Sequence, residues 1–287
     1  MKDRECVDFL QWALPQLHLR WPGFRRVRQQ VCKRIRRRLQ ELGLTDIAAY
    51  RTYLAAHPAE WTVVDTCCRI TISRFYRDRT VFDALGRTVF PELARTAIAN
   101  GESKLRCWSA GCASGEEAYT LKLIWHYCLL AQFPGLSLHV VATDIDDCLL
   151  ERARNGCYRV GSLKDLPSEW LSSAFTTNGK EYCVKPALQE GVNFIRQDIR
   201  TESPDGLFHL ILCRNLAFTY FETALQRQIL QYISRCLVSG GVLVIGGDES
   251  LPLANSRQPR DADEIGIYRW DRREWKALQT TSSLPTT

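Results

Sequence analysis

From Leu105 onward the chain alternates short apolar runs with amphipathic helical stretches, a pattern that admits little except an α/β layer on a parallel sheet. The runs 105–109, 138–143, 208–213 and 242–246 read as strands, and 116–132, 147–155 and 223–237 as helices. The last of these helices places Leu225, Ile229, Leu230, Ile233 and Leu237 on one face. Residues 156–194 break the alternation and read as an insertion: a short helix near 166–175, then strands around the turn Asn178-Gly179. A polar loop at 256–263 precedes a last strand at 266–270, and the Ser, Thr and Pro-rich tail from 276 is expected to be disordered.

Residues 1 to about 100 read as helical instead. Gly43 ends one helix, Thr45-Asp46 can cap the next, and a helical stretch follows Pro58. The polar turn Thr71-Ile72-Ser73-Arg74-Phe75-Tyr76-Arg77-Asp78 leads into a long amphipathic connector through Val81, Phe82, Leu85, Val89, Leu93 and Ala97. The expected organisation is a helical domain over 1–80, a connector over 81–102, a catalytic domain over 103–275 with an insert at about 157–194, and a tail over 276–287. Net charge is +6, and its excess is concentrated at 25–38, where eight Lys or Arg stand without one acid. Val27, Val31, Ile35, Leu39 and Leu42 give that segment one apolar edge. Its cations Arg28, Lys33, Arg34, Arg36 and Arg37 suit an acidic protein surface; a solvated face and a nucleic acid are the alternatives, the latter without any accompanying motif.

No run of 18 apolar residues exists, since His126 and Gln132 interrupt the most apolar stretch, so no membrane insertion is expected. MKDRECVDFL carries charges where a signal peptide needs apolar residues, which points to the cytoplasm. Twelve cysteines form no C-x-x-C pair and no zinc-finger spacing; they read as reduced, mostly buried thiols rather than metal ligands.

The segment Trp108-Ser109-Ala110-Gly111-Cys112-Ala113-Ser114-Gly115-Glu116-Glu117 joins a strand to a helix, and Gly111 lets a ligand approach the backbone there. It is neither a dinucleotide fingerprint nor a phosphate loop. Glu116 and Glu117 would repel a phosphate and suit a cation, such as the ammonium and sulfonium of S-adenosylmethionine; they also favour the helix dipole. Some thirty residues on, Asp144 ends a strand, where a carboxylate can accept both ribose hydroxyls of an adenosine cofactor or simply cap a helix. Arg214-Asn215 follow another strand, at the sheet edge where such proteins bind ligands, though the pair could equally tie down a loop.

Taken in order, Phe75-Tyr76-Arg77-Asp78, SAGCASGEEAYTL, ATDID, Ala153-Arg154-Asn155-Gly156-Cys157-Tyr158, CRN with a following Tyr-Phe, and Ser239-Gly240-Gly241 resemble the CheR family over roughly residues 20–270. That family esterifies glutamates on chemotaxis receptors with S-adenosylmethionine. The resemblance implies a Rossmann-like S-adenosylmethionine methyltransferase sheet with a small all-helical N-terminal domain and a short inserted α/β-hairpin subdomain. It implies cofactor contacts from Thr71, Ser73, Arg77, Glu116 or Glu117, Asp144, Asp198, Ile199, Arg214 and Asn215, with Arg77 and Tyr220 beside the reacting methyl. It also implies an acidic protein substrate such as a helical chemoreceptor. The sequence departs from the family at Tyr220, which stands one residue late, at Asp198, where Asn is common, and in a shorter hairpin without a glycine-rich loop. A glutamate is already ionised at neutral pH and needs no general base. The five histidines (18, 57, 126, 139, 209) accordingly fall outside the motifs. A methyltransferase of a small molecule and a non-catalytic adaptor are the rival readings.

Overall fold

A computed structural model of the chain describes residues 3–253, 265–271 and 274–278. The chain divides into two compact units: Met1–Thr71 with Leu216–Gln226, and Ile72–Asn215 with Arg227–Thr287.

The first unit holds α1 (Asp3–Ala13), α2 (Trp21–Phe24), α3 (Arg28–Glu41), α4 (Ile47–Ala56) and α5 (Glu60–Cys68). Asp46 caps α4 by accepting from the Ala49 N–H at 2.8 Å, as the Thr45-Asp46 pair leads one to expect. Val31, Ile35 and Leu39 of α3 are buried. They share the interior with Phe9 and Leu10 of α1, Tyr50 and Leu54 of α4, and Val64 of α5. One ion pair sits inside this packing. Arg38 forks onto Glu60 with both nitrogens at 2.8 Å, and the Tyr50 hydroxyl donates to the same carboxylate at 2.9 Å. A later stretch of chain belongs here too. Arg20 donates to the carbonyls of Thr219 and Phe218, the Glu222 N–H donates to the His18 carbonyl, and Leu19 bridges Phe221. A Cβ on Gly23 would stand 2.3 Å from the Thr219 carbonyl oxygen, so only glycine allows this approach.

In the second unit, α6 (Arg79–Ala84), a π turn (Leu85–Val89) and α7 (Phe90–Ala99) form one continuous helical run. There follow β1 (Lys104–Ala110), α8 (Glu116–Ile124), β2 (Ser137–Asp144), α9 (Asp147–Asn155), β3 (Cys157–Arg159), α10 (Ser168–Ala174), β4 (Phe175–Asn178), β5 (Glu181–Val184), α11 (Pro186–Gln189), β6 (Val192–Arg196) and β7 (Phe208–Leu212). The short α12 (Ala217–Tyr220) lies in the first unit. Next come α13 (Thr223–Cys236), β8 (Leu237–Val244), β9 (Ile267–Asp271) and β10 (Glu274–Ala277).

Seven strands make one sheet in the order β10-β9-β8-β7-β1-β2-β6. Strands β6, β2, β1, β7 and β8 are parallel, and β9 and β10 pair antiparallel at the far edge. From β1 the chain winds first to β2 and β6, then returns to β7 on the other side. The direction therefore reverses between β1 and β7, and the crevice for a ligand opens at their carboxyl ends. The core is packed by Leu105, Cys107, Val140, Leu210 and Val242 of the strands against Phe82, Phe90, Leu121 and Trp125 of the helices.

Several expectations change. Strand β6 is part of the main sheet, not of the insertion assigned to 157–194. As an edge strand it exposes Asn193, Ile195 and Arg196, so it lacks the unbroken apolar run of an inner strand. The insertion is a second sheet, β3-β5-β4, with α10, and its hairpin turns through Gly179 at φ +60°. Lys276 and Ala277 lie in β10 rather than a tail; 256–263 and 279–287 fall outside the described residues. The expected helix 116–132 is α-helical only to Ile124 and continues as a π turn. The first unit ends at Thr71 rather than residue 80 and gains 216–226, contacts that local sequence does not encode. Four cysteines are not reduced thiols: Cys6 is bonded to Cys32 across α1 and α3, and Cys157 to Cys183, its partner in the β3–β5 register. Each pair is separated by 26 residues and is created only by folding. Among the described residues no helix is long and apolar enough to cross a membrane.

The Arg38 guanidinium holds the Glu60 carboxyl below the usual carboxylate range. A depressed folded value means stability that is fully present above the unfolded value and is lost as pH falls through the folded one. Glu60→Gln should cost about 2–3 kcal/mol at neutral pH and flatten the acid limb of stability. Thermal unfolding of wild type and variant from neutral into acid pH checks both.

Candidate active site

The loop after β1 is shaped by backbone conformations that few residues adopt. Gly111 and Gly115 have φ of +74° and +89°, and Ala113 between them has φ +48°. A Cβ on Gly115 would lie 2.9 Å from Ala153 Cβ and 3.0 Å from the Phe194 ring, so glycine also lets the start of α8 rest against α9 and β6. The N–H groups of Gly111 and Cys112 both donate to the Thr143 carbonyl, at 2.8 and 2.9 Å, binding this loop to the end of β2. Tyr158 of the inserted sheet, fully buried, donates its hydroxyl to the Ser114 carbonyl at 2.7 Å. The insertion thereby braces the loop, a role for Tyr158 that the sequence does not signal.

Asp144, at the tip of β2, accepts from the backbone N–H groups of Ala113 (2.9 Å) and Asp146 (3.0 Å). It has no cationic partner among the described residues. Burial pushes its carboxyl above the usual carboxylate range, against the pull of those N–H groups. The helix-capping alternative goes to Asp146, whose carboxylate accepts from Cys148 and Leu149 at the start of α9. Asp144, at the carboxyl end of β2, is left with spare acceptor capacity, the property that ribose hydroxyls require.

The two glutamates part company. Glu116 is 2% exposed, and both its carboxylate oxygens accept from the Ser114 hydroxyl. Glu117 accepts from Ser109 at the end of β1 (2.7 Å) and from Arg214 after β7 (3.2 Å), so its carboxylate lies at the switch point itself. Arg214 is buried, lies over the Phe82 ring at 5.0 Å, and also reaches the Asp78 carboxylate and the Arg77 carbonyl. Asp78 therefore joins the site although the sequence marked only the turn around it. Tyr76 and Asp78 in that turn, and Asn215 beside Arg214, have φ of +56°, +64° and +54°. Such strain in non-glycine residues gathers where function fixes the backbone.

Other expected contacts are placed differently. The Asp198 carboxylate is held by Arg200, whose nitrogens approach it at 2.8–2.9 Å, so it presents a neutralised group where an amide was anticipated. Ile199 beside it is buried. Asn215 donates its backbone N–H to Glu249, a carboxylate 3% exposed that also accepts from the Gly246 N–H; Glu249 had no motif to reveal it. The Arg77 guanidinium donates to the Ile72 carbonyl at 2.8 Å within its own turn, and Ser73 is half-buried nearby in sequence. Thr71 and Tyr220 belong to the first unit, where Tyr220 packs on Phe24 with ring centroids 4.9 Å apart. The basic helix also lies there. Arg28 pairs with Asp3 at 3.1 Å and Arg37 with Glu41 at 3.0 Å, while Arg34 donates to the carbonyls of Cys67 and Arg69. Those three cations are engaged within the unit; the side chains of Lys33, Arg36 and Arg37 are exposed.

Asp78, Glu117 and Asp144 against Arg77 and Arg214 leave a net charge of −3 + 2 = −1, a setting for a cationic ligand rather than a phosphate. Residues 71–264 match the family model described as CheR methyltransferase, SAM binding domain. The chain belongs to the CheR methyltransferase family. It is 34% identical over 182 residues to a chemotaxis protein methyltransferase of Listeria monocytogenes, covering 63% of this chain and 66% of that one. To the chemotaxis protein methyltransferase of Salmonella typhimurium it is 32% identical, covering 78% and 76%. An uncharacterized 104.1 kDa protein of Rhodobacter capsulatus is 30% identical over 87% of this chain, which spans 25% of that protein's length. The matched CheR domain takes in the loop after β1, Asp144 and the Arg214 cluster, and their donors fit S-adenosylmethionine.

Because the folded Asp144 value is raised, its anion is lost at a higher pH than that of an exposed aspartate. Affinity for S-adenosylhomocysteine should fall as pH drops through that raised value. Asp144→Asn should bind more weakly at neutral pH, by about 1–3 kcal/mol, and lose this dependence. Calorimetric titrations across the acid range check the sign.

Proposed function

We propose that this CheR-family chain transfers methyl from S-adenosylmethionine to glutamate side chains of an acidic protein in the cytoplasm, forming methyl esters. The observation that carries the reading is the Asp144 carboxylate, without a cationic partner among the described residues, beside the strained glycine loop at the sheet's switch point. When bound, S-adenosylmethionine supplies a sulfonium methyl that needs no further activation. Asp144 accepts from the ribose hydroxyls, and Glu117, oriented by Ser109 and Arg214, faces the ammonium. Arg77 meets the incoming carboxylate with a permanent charge that can fork onto it. An ionised glutamate attacks without a base, in keeping with site loops whose sequences hold no histidine. Nucleophile and cation combine to neutral products, so a site that excludes water favours the step, and the residues act mainly by orienting the partners. Lys33 and Arg36, on the exposed face of α3, attract the acidic substrate.

The test is transfer of labelled methyl from S-adenosylmethionine into a lysate of the source cell, with protein separated from small molecules. Base-labile label on protein, released as methanol, is expected; label confined to small molecules, or cofactor binding without turnover, overturns the reading. Tyr220→Phe, which removes one hydroxyl, should lower kcat by about tenfold or more with cofactor affinity unchanged. Reversing Lys33 and Arg36 to Glu should raise KM for the protein substrate several-fold at low salt and less at physiological salt. Steady-state kinetics at two ionic strengths separates these effects.

A further inference from the structure

The helical run through α6, the π turn and α7 buries Phe82, Leu85, Phe90 and Leu93 in the core, and its outer side is unusual. There it forms one wall of a groove of about 630 Å³, whose opposite wall is Pro167–Trp170 of the insertion. Arg79, Arg87 and Arg95 line the groove and are exposed. None of the three has a hydrogen bond or ion pair among the described residues, unlike the arginines of the site. Glu92, the acid nearest Arg95 along the helix, is bound to Arg269 instead. Two acids face the groove: Asp83, which accepts from the Tyr76 hydroxyl at 3.0 Å, and Glu169 on the opposite wall. The balance of these groups is 3 − 2 = +1.

We propose that this groove docks an acidic polypeptide segment. Its cations recur every eight residues, which at helical rise is about 12 Å apart and about 24 Å from first to last. No single small anion spans them. A continuous phosphate backbone, with a charge every few ångströms, would be driven against Asp83 and Glu169. A polypeptide places carboxylates opposite the arginines and neutral side chains opposite the acids; about seven extended residues cover the distance. The buried edges of Tyr76 and Trp170 supply an apolar floor for its stem atoms. The surface uses none of the cofactor residues and is independent of the basic helix α3.

Cys128 lines the groove and is exposed, and so reports on its occupancy. The rate of its alkylation by N-ethylmaleimide would be followed by peptide mass spectrometry on the full chain, with exposed Cys148 as internal control. The probe is a synthetic Glu/Ala peptide of about sixteen residues at low salt. Several-fold protection of Cys128 is expected, with Cys148 unchanged. In Arg87→Glu/Arg95→Glu the peptide concentration needed should rise about tenfold or more, while S-adenosylhomocysteine affinity stays as in wild type. Arg87→Gln/Arg95→Gln, which removes charge without reversing it, should show a smaller shift of the same sign and serves if the reversed variant fails to fold. An unchanged Cys128 rate, equal protection of wild type and variants, or better protection by a single-stranded oligonucleotide of equal charge overturns the proposal. Cofactor binding is read in the same samples, so its loss marks a failure of the methyltransferase site and not of the groove.

Discussion

Arg214 fixes the relation of three chain segments that would otherwise be independent. Its guanidinium, nearly withdrawn from water, joins the start of α8 through Glu117 and the turn before α6 through Asp78 and the Arg77 carbonyl, and Arg214 itself stands just beyond the end of β7. Burying a charge is expensive unless it is paired and hydrogen-bonded, and the cost of leaving one buried charge alone is larger still. Removing Arg214 would therefore leave the Glu117 carboxylate without its cation, and removing Glu117 would leave the buried Arg214 to the partly exposed Asp78. That makes the cluster a device for geometric definition more than for net stability. Of the strained residues, Asp78 is held by Arg214 directly, Tyr76 by Thr120 and Asp83, and Asn215 by Glu249.

Around that cluster the sheet supplies position and the loops supply chemistry. Strand order places the ends of β1, β2 and β7 side by side, which brings Ser109, Asp144 and, just past β7, Arg214 to one edge of the sheet. The excess of negative charge explains why a strand-glycine-helix segment, usually associated with phosphates, is suited here to a cation. A reaction between an anion and a cation asks little of acid–base groups, so side chains are spent on holding backbone. Glu249 and Tyr158 illustrate this: both are buried, and both hydrogen-bond main-chain atoms of the site loops.

The basic helix shows how little a count of charges says about availability. Of its cations, Arg38 is committed to a largely buried carboxylate, Arg34 to carbonyls at the end of α5, and Arg28 and Arg37 to nearby acids. The same residues read along the sequence look like one continuous patch. Arg79, Arg87 and Arg95 are fewer and more widely spaced, yet none has a hydrogen bond or ion pair among the described residues.

Local sequence determined the element types, because hydrophobic period and capping residues act over a few positions. The strand–glycine–helix segment, the Asp at the end of β2, the cap at Asp46 and the helix 147–155 were all legible for that reason. Tertiary structure decided what depends on partners distant in sequence. It separated Glu116 from Glu117, although they are neighbours with the same side chain, because one helical step turns the first inward to Ser114 and the second to Arg214. It took β6 from the insertion into the sheet, paired Cys6 with Cys32 and Cys157 with Cys183, and assigned Tyr220 to the helical unit. None of these follows from pattern, since an edge strand, a disulfide and a docked loop are each defined by what lies across a gap in space. A sequence states which groups a chain owns; only packing decides which of them must answer to one another.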